Sequence, residues 1–323
     1  MNFANLRDRA FANESLSRSE CCAVLECPME RFEELSMHVY TVRQRYHGQK
    51  VSVQILTNAK SGNCDQNCAY CAQSAVSSAK IDRYSLAPFE VLANNAATAA
   101  GKGVNRHCVG LSGMRFGDDQ IEAFCGHIRR LKMGTPICCS IGFVTKFQAI
   151  RLRESGITRI NHNLNTGRNF YPKICTTHTY DERLANIAML QSIGFEICCG
   201  GIVGMGESND DVIDMLLEVR RIRPECVPIN FLIPIQGTPL AAANLQKLTP
   251  EYCLRVLMLA RLLNPRADVR CAAGRELYLK GHHALMFRAV NSIFAAGYLT
   301  ASGEGIEDAI GMIRECGFEY ASE

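Results

Sequence analysis

Three cysteines in the run Ser61-Gly-Asn-Cys64-Asp-Gln-Asn-Cys68-Ala-Tyr70-Cys71-Ala-Gln-Ser74 are the residues best placed to do chemistry. Their spacing is C-x3-C-x2-C, with an aromatic residue immediately before the third cysteine. Iron–sulfur clusters are held by thiolates, and a cubane needs four ligands. Three local thiolates leave one iron without a protein ligand, and an open metal position is where chemistry takes place. A structural zinc site would want a second knuckle, C-x2-C or H-x3-H, and none lies nearby in the sequence. A disulfide framework is disfavoured: the chain carries 17 cysteines, an odd number, over 323 residues. The polar, charged start Met1-Asn-Phe-Ala-Asn-Leu-Arg-Asp-Arg does not read as an export signal. Thiols this abundant without such a signal point to a reducing cytosol and a cytoplasmic protein.

A scaffold must position these thiols. Residues 10–50 mix polar and apolar side chains at helical spacing. Beyond them, short β-rich runs alternate with helical stretches, the pattern of a parallel sheet with crossover helices. Eight strands are predicted: Val51–Thr57, His107–Leu111, Thr135–Ile141, Arg159–Leu164, Phe195–Val203, Cys226–Ile233, Asp268–Ala272 and Asn291–Phe294. Helices are predicted between them, among them Asp181–Ser192, Asp210–Arg223 and Pro250–Leu263. Eight such units match a closed (β/α)8 TIM-type barrel, with a doubly wound open sheet as the alternative. The expected organisation is an N-terminal helical extension over residues 1–45 and a barrel over 46–323. The three-cysteine run follows the first strand, so it falls on the first βα loop, at the barrel face where such folds place active sites.

Further cysteines fall on predicted strands: Cys108 on the second, Cys138 and Cys139 on the third, Cys198 and Cys199 on the fifth, and Cys271 beside Arg270 on the seventh. Strand side chains alternate in direction, so one member of each doublet should face the barrel interior. One such cysteine is ordinarily a small packed hydrophobe. Several converging on one axis suggest a second, interior metal cluster. Cys21, Cys22, Cys27, Cys125, Cys175, Cys226, Cys253 and Cys316 read as packing or surface thiols.

Composition removes other classes. About 47% of residues are apolar, enough for a large core, yet no run approaches a membrane span. The formal charge is +3 with no lysine–arginine block, which leaves no footprint for nucleic acid. The densest basic patch, Arg220, Arg221 and Arg223, precedes Pro224 and reads as the end of an exposed helix.

The C-x3-C-x2-C run resembles the signature of the radical S-adenosylmethionine (SAM) enzymes, in which the amino and carboxylate groups of the methionine moiety chelate the open iron. Over nearly the whole chain, from about residue 35 to 320, a series of segments resembles the biotin synthase family. They are the cysteine run itself, Arg106-His-Cys108-Val-Gly110, Asn161-His-Asn163-Leu164, Thr176-Thr-His-Thr-Tyr180-Asp-Glu-Arg183, Cys198-Cys-Gly-Gly-Ile-Val-Gly204-Met-Gly206-Glu207, Val227-Pro-Ile-Asn230, Gly237-Thr-Pro-Leu240, Val269-Arg270-Cys-Ala-Ala-Gly274-Arg-Glu276 and Ala289-Val-Asn291-Ser-Ile-Phe294.

The resemblance implies a sulfurtransferase that converts dethiobiotin to biotin. Cys64, Cys68 and Cys71 would hold a 4Fe–4S cluster with SAM. Cys108, Cys138, Cys198 and Arg270 would hold an auxiliary cluster, 2Fe–2S in this family, whose bridging sulfide is the sulfur donor. The cluster's negative charge would compensate the buried arginine. Reductive cleavage of the sulfonium would give a 5′-deoxyadenosyl radical able to attack unactivated C–H bonds, once for each C–S bond of the new ring. Asn163 would lie between ribose and substrate, Tyr70 and residue 165 beside the cofactor, Arg183 on the methionine carboxylate and Asn230 on the ureido ring. The turn Gly204-Met-Gly206-Glu207 is similar to one near the cofactor. Implied partners are an electron donor such as flavodoxin or ferredoxin, cluster-assembly proteins and a second copy of the chain in a homodimer.

Two features depart from the family pattern. Asn165 stands where an aspartate is expected to hold the ribose hydroxyls, which removes a charge and an acceptor oxygen. Cys139, Cys199 and Cys271 exceed the usual complement, so the auxiliary site could instead hold a four-iron cluster with one of them as a fourth thiolate. For Cys271 to share a face with Arg270, a bulge would be needed. The alternatives in function are another radical SAM barrel enzyme, of the hydrogenase-maturation or methylornithine-forming type, and a non-catalytic iron–sulfur carrier. The interior cysteines with Arg270 speak against the first, and the polar set Asn163, Arg183 and Asn230 against the second.

Overall fold

A computed structural model describes residues 2–131, 134–243 and 245–322. Ten strands form one sheet among the described residues: β1 (Lys50–Lys60), β2 (Arg106–Leu111), β3 (Ile137–Ser140), β4 (Ile157–Asn161), β5 (Glu196–Cys198), β6 (Gly201–Val203), β7 (Cys226–Phe231), β8 (Asp268–Cys271), β9 (Ser292–Ala295) and β10 (Glu319–Tyr320). All pairings between them are parallel, and β1 pairs with both β2 and β9, which closes the sheet into a barrel. β5 and β6 both pair with β7 and form one interrupted stave, so the barrel has eight staves. β10 adds a short strand beside the start of β1. The expected (β/α)8 barrel is therefore the observed one, and the open-sheet alternative falls with the β1–β9 pairing.

Helices cover the outside, and local signals start and stop them. Lys146–Glu154, Tyr180–Ser192 and Asn209–Ile222 each begin with a capping box, from Thr145, Thr179 and Ser208. These side chains satisfy backbone N–H groups that a helix start leaves free. Asn209–Ile222 ends on Arg223 in a left-handed conformation (φ 55°), immediately before Pro224, which disfavours a continued helix. The N-terminal helices Phe3–Phe11, Arg18–Leu25 and Phe32–His47 pack on one another and on Pro250–Leu263. Their Phe3, Leu6, Val24, Leu35 and Val39 join the same apolar core as Leu254, Leu257 and Val269.

The break in the fifth stave was expected as continuous strand over Phe195–Val203. A Cβ on Gly200 would lie 2.0 Å from the Pro228 carbonyl oxygen, so the backbone of this stave runs hard against β7. The break lets the Gly200 N–H donate to Asn163 Oδ1 (3.0 Å) and its carbonyl accept from Asn165 N–H (3.2 Å). Replacing Gly200 with alanine should force β5–β6 off β7 and cost on the order of 3 kcal/mol. Chemical denaturation compared with a Gly311→Ala control, where a Cβ meets nothing within 4 Å, checks this.

Candidate active site

A cavity of about 390 Å³ opens at the C-terminal ends of the strands and runs into the barrel. Its walls include Cys64, Cys68, Tyr70 and Cys71 from the loop after β1, and Cys108, Cys138 and Arg270 from the barrel interior. Asn163, Asn165, Arg183 and Asn230 also line it. The structure thus joins the residues singled out at the sequence level into one chamber with two ends.

At the inner end the thiols are sorted by strand alternation. Cys108, Cys138 and Cys198 form a cluster inside the barrel with Leu56 and Phe294 against it. Cys139, Cys199 and Cys271 belong to the outer core between strands and helices, so none of them stands as a fourth interior thiol. No bulge brings Cys271 round. The fourth interior thiol is Cys226, which the sequence reading left as packing. It pairs in register with Cys198 at the start of β7. Two rows of residue-two periodicity carry the signal: Cys226, Pro228 and Asn230 alternate inward on β7, in step with Arg270 opposite Pro228.

Arg270 is about 1% exposed. Its Nε donates to Ser292 Oγ (3.1 Å), its Nη1 lies 3.9 Å from Cys198 Sγ, and its guanidinium stacks over Phe294. Its Nη2 is buried without a hydrogen-bond partner. Burial alone would lower the guanidinium's pKa, but its charge interaction with the sulfur of Cys226, Cys198, Cys108 and Cys138 outweighs it and the net shift is upward. The thiols respond in kind. Cys198 is held well below the ordinary thiol range by hydrogen bonds from Cys138 and Cys226, with Arg270 and Arg159 adding to the effect. Cys108 is lowered by a hydrogen bond from Cys138 and by Arg270. Anionic sulfur, an unpartnered guanidinium N–H and an enclosed chamber fit an iron–sulfur cluster, which is itself anionic.

Below the thiols the barrel floor is ionic. Arg159 Nε donates to Glu196 (2.9 Å), which also accepts from Arg106 (3.2 Å), and Arg159 Nη1 lies 3.6 Å from Asp268.

At the mouth, Arg183 is fixed by three of its own contacts: Nε to the Tyr171 hydroxyl, Nη1 to the Asn163 carbonyl (3.0 Å) and Nη2 to His178 Nε2 (2.7 Å). Asn163 Oδ1 accepts from Gly200 N–H, and Asn230 bridges backbone, donating to Gly201 O (3.0 Å) and accepting from Ala273 N–H (3.1 Å). Each amide keeps further hydrogen-bonding capacity, since an amide has two N–H groups and two lone pairs. Asn165 is buried with φ 72°, a conformation that asparagine and aspartate tolerate better than other non-glycine residues.

The three-cysteine loop is braced by residues 175–178, which the sequence reading had as a packing thiol and part of a family-like segment with no role of their own. Asn67 Oδ1 accepts from the N–H groups of Thr176 (3.0 Å) and Thr177 (3.3 Å), while its Nδ2 donates to Thr176 Oγ1 (2.6 Å). Gln66 Oε1 meets His178 Nδ1 at 2.9 Å. Cys175 Sγ lies 3.7 Å from Cys68 Sγ. Cys175 is pulled well down by a hydrogen bond from Cys68, with His178 and Thr177 contributing, and Cys68 is pushed correspondingly up. The C-x2-H spacing of Cys175 and His178 was the available signal.

Family models match in two stretches: the Radical SAM superfamily over residues 59–219, and the Biotin and Thiamin Synthesis associated domain over residues 228–319. The chain is 38% identical to a biotin synthase of Geobacillus kaustophilus over 320 residues, covering 98% of this chain and 96% of the relative. A biotin synthase of Sulfurihydrogenibium sp. is 37% identical over 301 residues, 93% of this chain and 90% of that one. Among solved structures, a methylornithine synthase superposes with a TM-score of 0.84 at 18% identity, covering 98% of this chain and 97% of its own. An FeFe-hydrogenase maturase from Carboxydothermus hydrogenoformans gives 0.82 at 15%, covering 98% and 78%. These structural likenesses carry the fold alone.

Asn67→Ala removes the acceptor that ties residues 176–177 to the cysteine loop. At roughly 1 kcal/mol for each lost hydrogen bond, amide exchange of Thr176 and Thr177 should speed up about fivefold while core strands stay protected. Hydrogen-exchange mass spectrometry of the full chain reads both.

Proposed function

The chain belongs to the biotin synthase family of radical SAM enzymes, and from that membership we propose that it inserts sulfur into dethiobiotin to form biotin. The observation that carries this reading is the single chamber with a three-cysteine loop at its mouth and Cys108, Cys138 and Arg270 at its base, with Cys198 buried against them. A single-cluster barrel enzyme has no use for the inner set, and a cluster carrier has none for the polar collar of Asn163, Arg183 and Asn230.

Cys64, Cys68 and Cys71 would hold the 4Fe–4S cluster, which with SAM supplies homolytic hydrogen abstraction from an unactivated carbon. Cys108, Cys138, Cys198 and Arg270 would hold the auxiliary cluster that supplies sulfide, 2Fe–2S by family resemblance. The protein's own residues do the rest. Arg183, held in place by Tyr171, Asn163 and His178, presents a guanidinium suited to the methionine carboxylate. Asn163 serves the ribose and substrate, Asn230 the ureido ring, and Tyr70 the cofactor side of the loop. Leu56, Ile202, Leu232 and Phe294 line the space between and keep water from a reactive carbon centre. Hydrogen bonds from Cys138 and Cys226, with Arg270 and Arg159 beside them, favour the thiolate of Cys198, the form that binds iron. Among the described residues no helix is long and apolar enough to cross a membrane. A cytoplasmic location, a flavodoxin- or ferredoxin-type electron donor, cluster-assembly proteins and a homodimer complete the proposal.

Reconstituted anaerobically, the protein should convert dethiobiotin to biotin with SAM and a strong reductant. Cleavage of SAM without biotin formation would overturn the substrate. In the Cys64/Cys68/Cys71→Ala variant, Mössbauer spectra should retain a 2Fe–2S signal that Cys108→Ala abolishes. A four-iron signal lost on Cys226→Ser would instead make Cys226 the fourth thiolate and free Arg270 from ligation.

Asn165→Asp restores the carboxylate without altering the backbone demand. A charged acceptor outweighs an amide by about 1 kcal/mol, so SAM should bind roughly fivefold tighter. Equilibrium binding to the reconstituted protein checks the sign.

A further inference from the structure

Cys175 has no part in the function proposed above and His178 serves there only to steady Arg183, yet with Cys68 they form a compact, buried donor set. All three ligand atoms lie within 4.8 Å of one another. We propose that Cys68, Cys175 and His178 form a mononuclear site for a thiophilic divalent cation, zinc or ferrous iron. It shares Cys68 with the cluster loop and so excludes the cluster while filled.

The distances fit one metal atom. With metal–sulfur bonds of about 2.3 Å, two thiolates on a tetrahedral ion stand about 3.8 Å apart. The Cys68–Cys175 separation is 3.7 Å. A thiolate and an imidazole nitrogen on the same ion stand about 3.5 Å apart. His178 Nε2 lies 3.7 Å from Cys175 Sγ and Nδ1 lies nearer, at 3.2 Å, so the ring turns as the ion displaces Arg183 and takes the Nε2 lone pair. Thiolates bound to different irons of a cubane are much further apart, so Cys175 cannot serve as another corner ligand where it stands. It competes for the metal that Cys68 holds.

The surroundings already orient the histidine. Arg183 donates to Nε2, so that nitrogen carries the lone pair, and Nδ1–H donates to Gln66 Oε1. A ligating imidazole usually makes this second hydrogen bond to an oxygen. The cation would take Nε2 in exchange for Arg183, and two thiolates would neutralise its charge. The fourth position falls to water, as in sites that keep an open position. Binding releases the thiol protons and forms no redox product.

The site itself does not rest on the reading of Cys68 as a cluster ligand, but the exclusion does, and two measurements separate them. First, cobalt(II) is titrated into the full, cluster-free chain under anaerobic conditions. One equivalent should bind with tetrahedral ligand-field bands and thiolate charge-transfer absorption. Cys175→Ser and His178→Gln should each weaken binding at least about tenfold, while Cys64→Ala leaves it unchanged. Binding that survives Cys175→Ser places the ion on the inner thiols or the three-cysteine loop, and binding lost in Cys64→Ala places it on that loop; either result overturns the site. Second, one equivalent of zinc should block cluster uptake in the otherwise native chain and not in Cys175→Ser, followed by visible absorption. Full uptake in the zinc-loaded protein would leave the site standing and overturn the sharing of Cys68.

Discussion

Burying a guanidinium costs several kcal/mol, and burying thiolates costs more of the same kind unless opposite charge lies close. Inside this barrel both are present and each makes the other tolerable. Arg270, almost wholly buried, keeps its charge beside the sulfur of Cys226, Cys198, Cys108 and Cys138, and Cys198 is held low by hydrogen bonds from Cys138 and Cys226 with Arg270 and Arg159 adding to the effect. A parallel barrel suits this arrangement, since its inward positions come from alternate strands and converge on one axis. The Arg159–Glu196–Arg106 pairs and Asp268 then seal the floor below the sulfur. Chemistry that needs sulfur away from water thus has an inner end lined by buried thiols and bounded by ion pairs.

The mouth is shaped by one break in a strand. Gly200 packs so tightly on the Pro228 carbonyl that the fifth stave cannot run on as regular sheet. The backbone groups freed there are taken up by Asn163 and Asn165. Asn230 ties the far side of the break to the turn after β8. The same amides that would meet cofactor and substrate therefore also hold the strand ends, so their positions are set by the fold before any ligand arrives. Preorganisation of this kind spares reorganisation at the moment of reaction.

Much of this could be read from the residues. The alternation of β-rich and helical runs implied eight staves, and the cysteine run fell on the first βα loop because Val51–Thr57 ends just before it. Alternation required one inward member in each doublet, the family resemblance pointed to Cys138 and Cys198, and the structure places those two inward and Cys139 and Cys199 outward. Two things escaped. Cys226 sits at the first residue of its strand, where the direction of a side chain depends on register with a neighbour. That register, Cys198 opposite Cys226, is a long-range property. Cys175 lies in an irregular segment after a four-residue helix, Tyr171–Ile174, and meets Cys68 across 107 positions of sequence. No periodicity speaks for such a contact.

Asn165 shows why a departure from a family pattern need not disturb a fold. At φ 72° most side chains would strain the backbone, and aspartate and asparagine are the usual non-glycine occupants. The exchange of one for the other keeps the turn, keeps the pairing with Gly201, and changes only charge and acceptor count at the cavity wall. Selection on the backbone thus narrows the position to residues that happen to be chemically distinct toward a ribose. Cys226 and Cys175 follow the opposite logic. They meet no backbone requirement, yet each places a sulfur donor beside a cysteine that the proposed reading gives to iron. A substitution there, invisible to the fold, would redirect metal chemistry, because coordination responds to which atoms stand within a few ångströms rather than to how the chain brought them there.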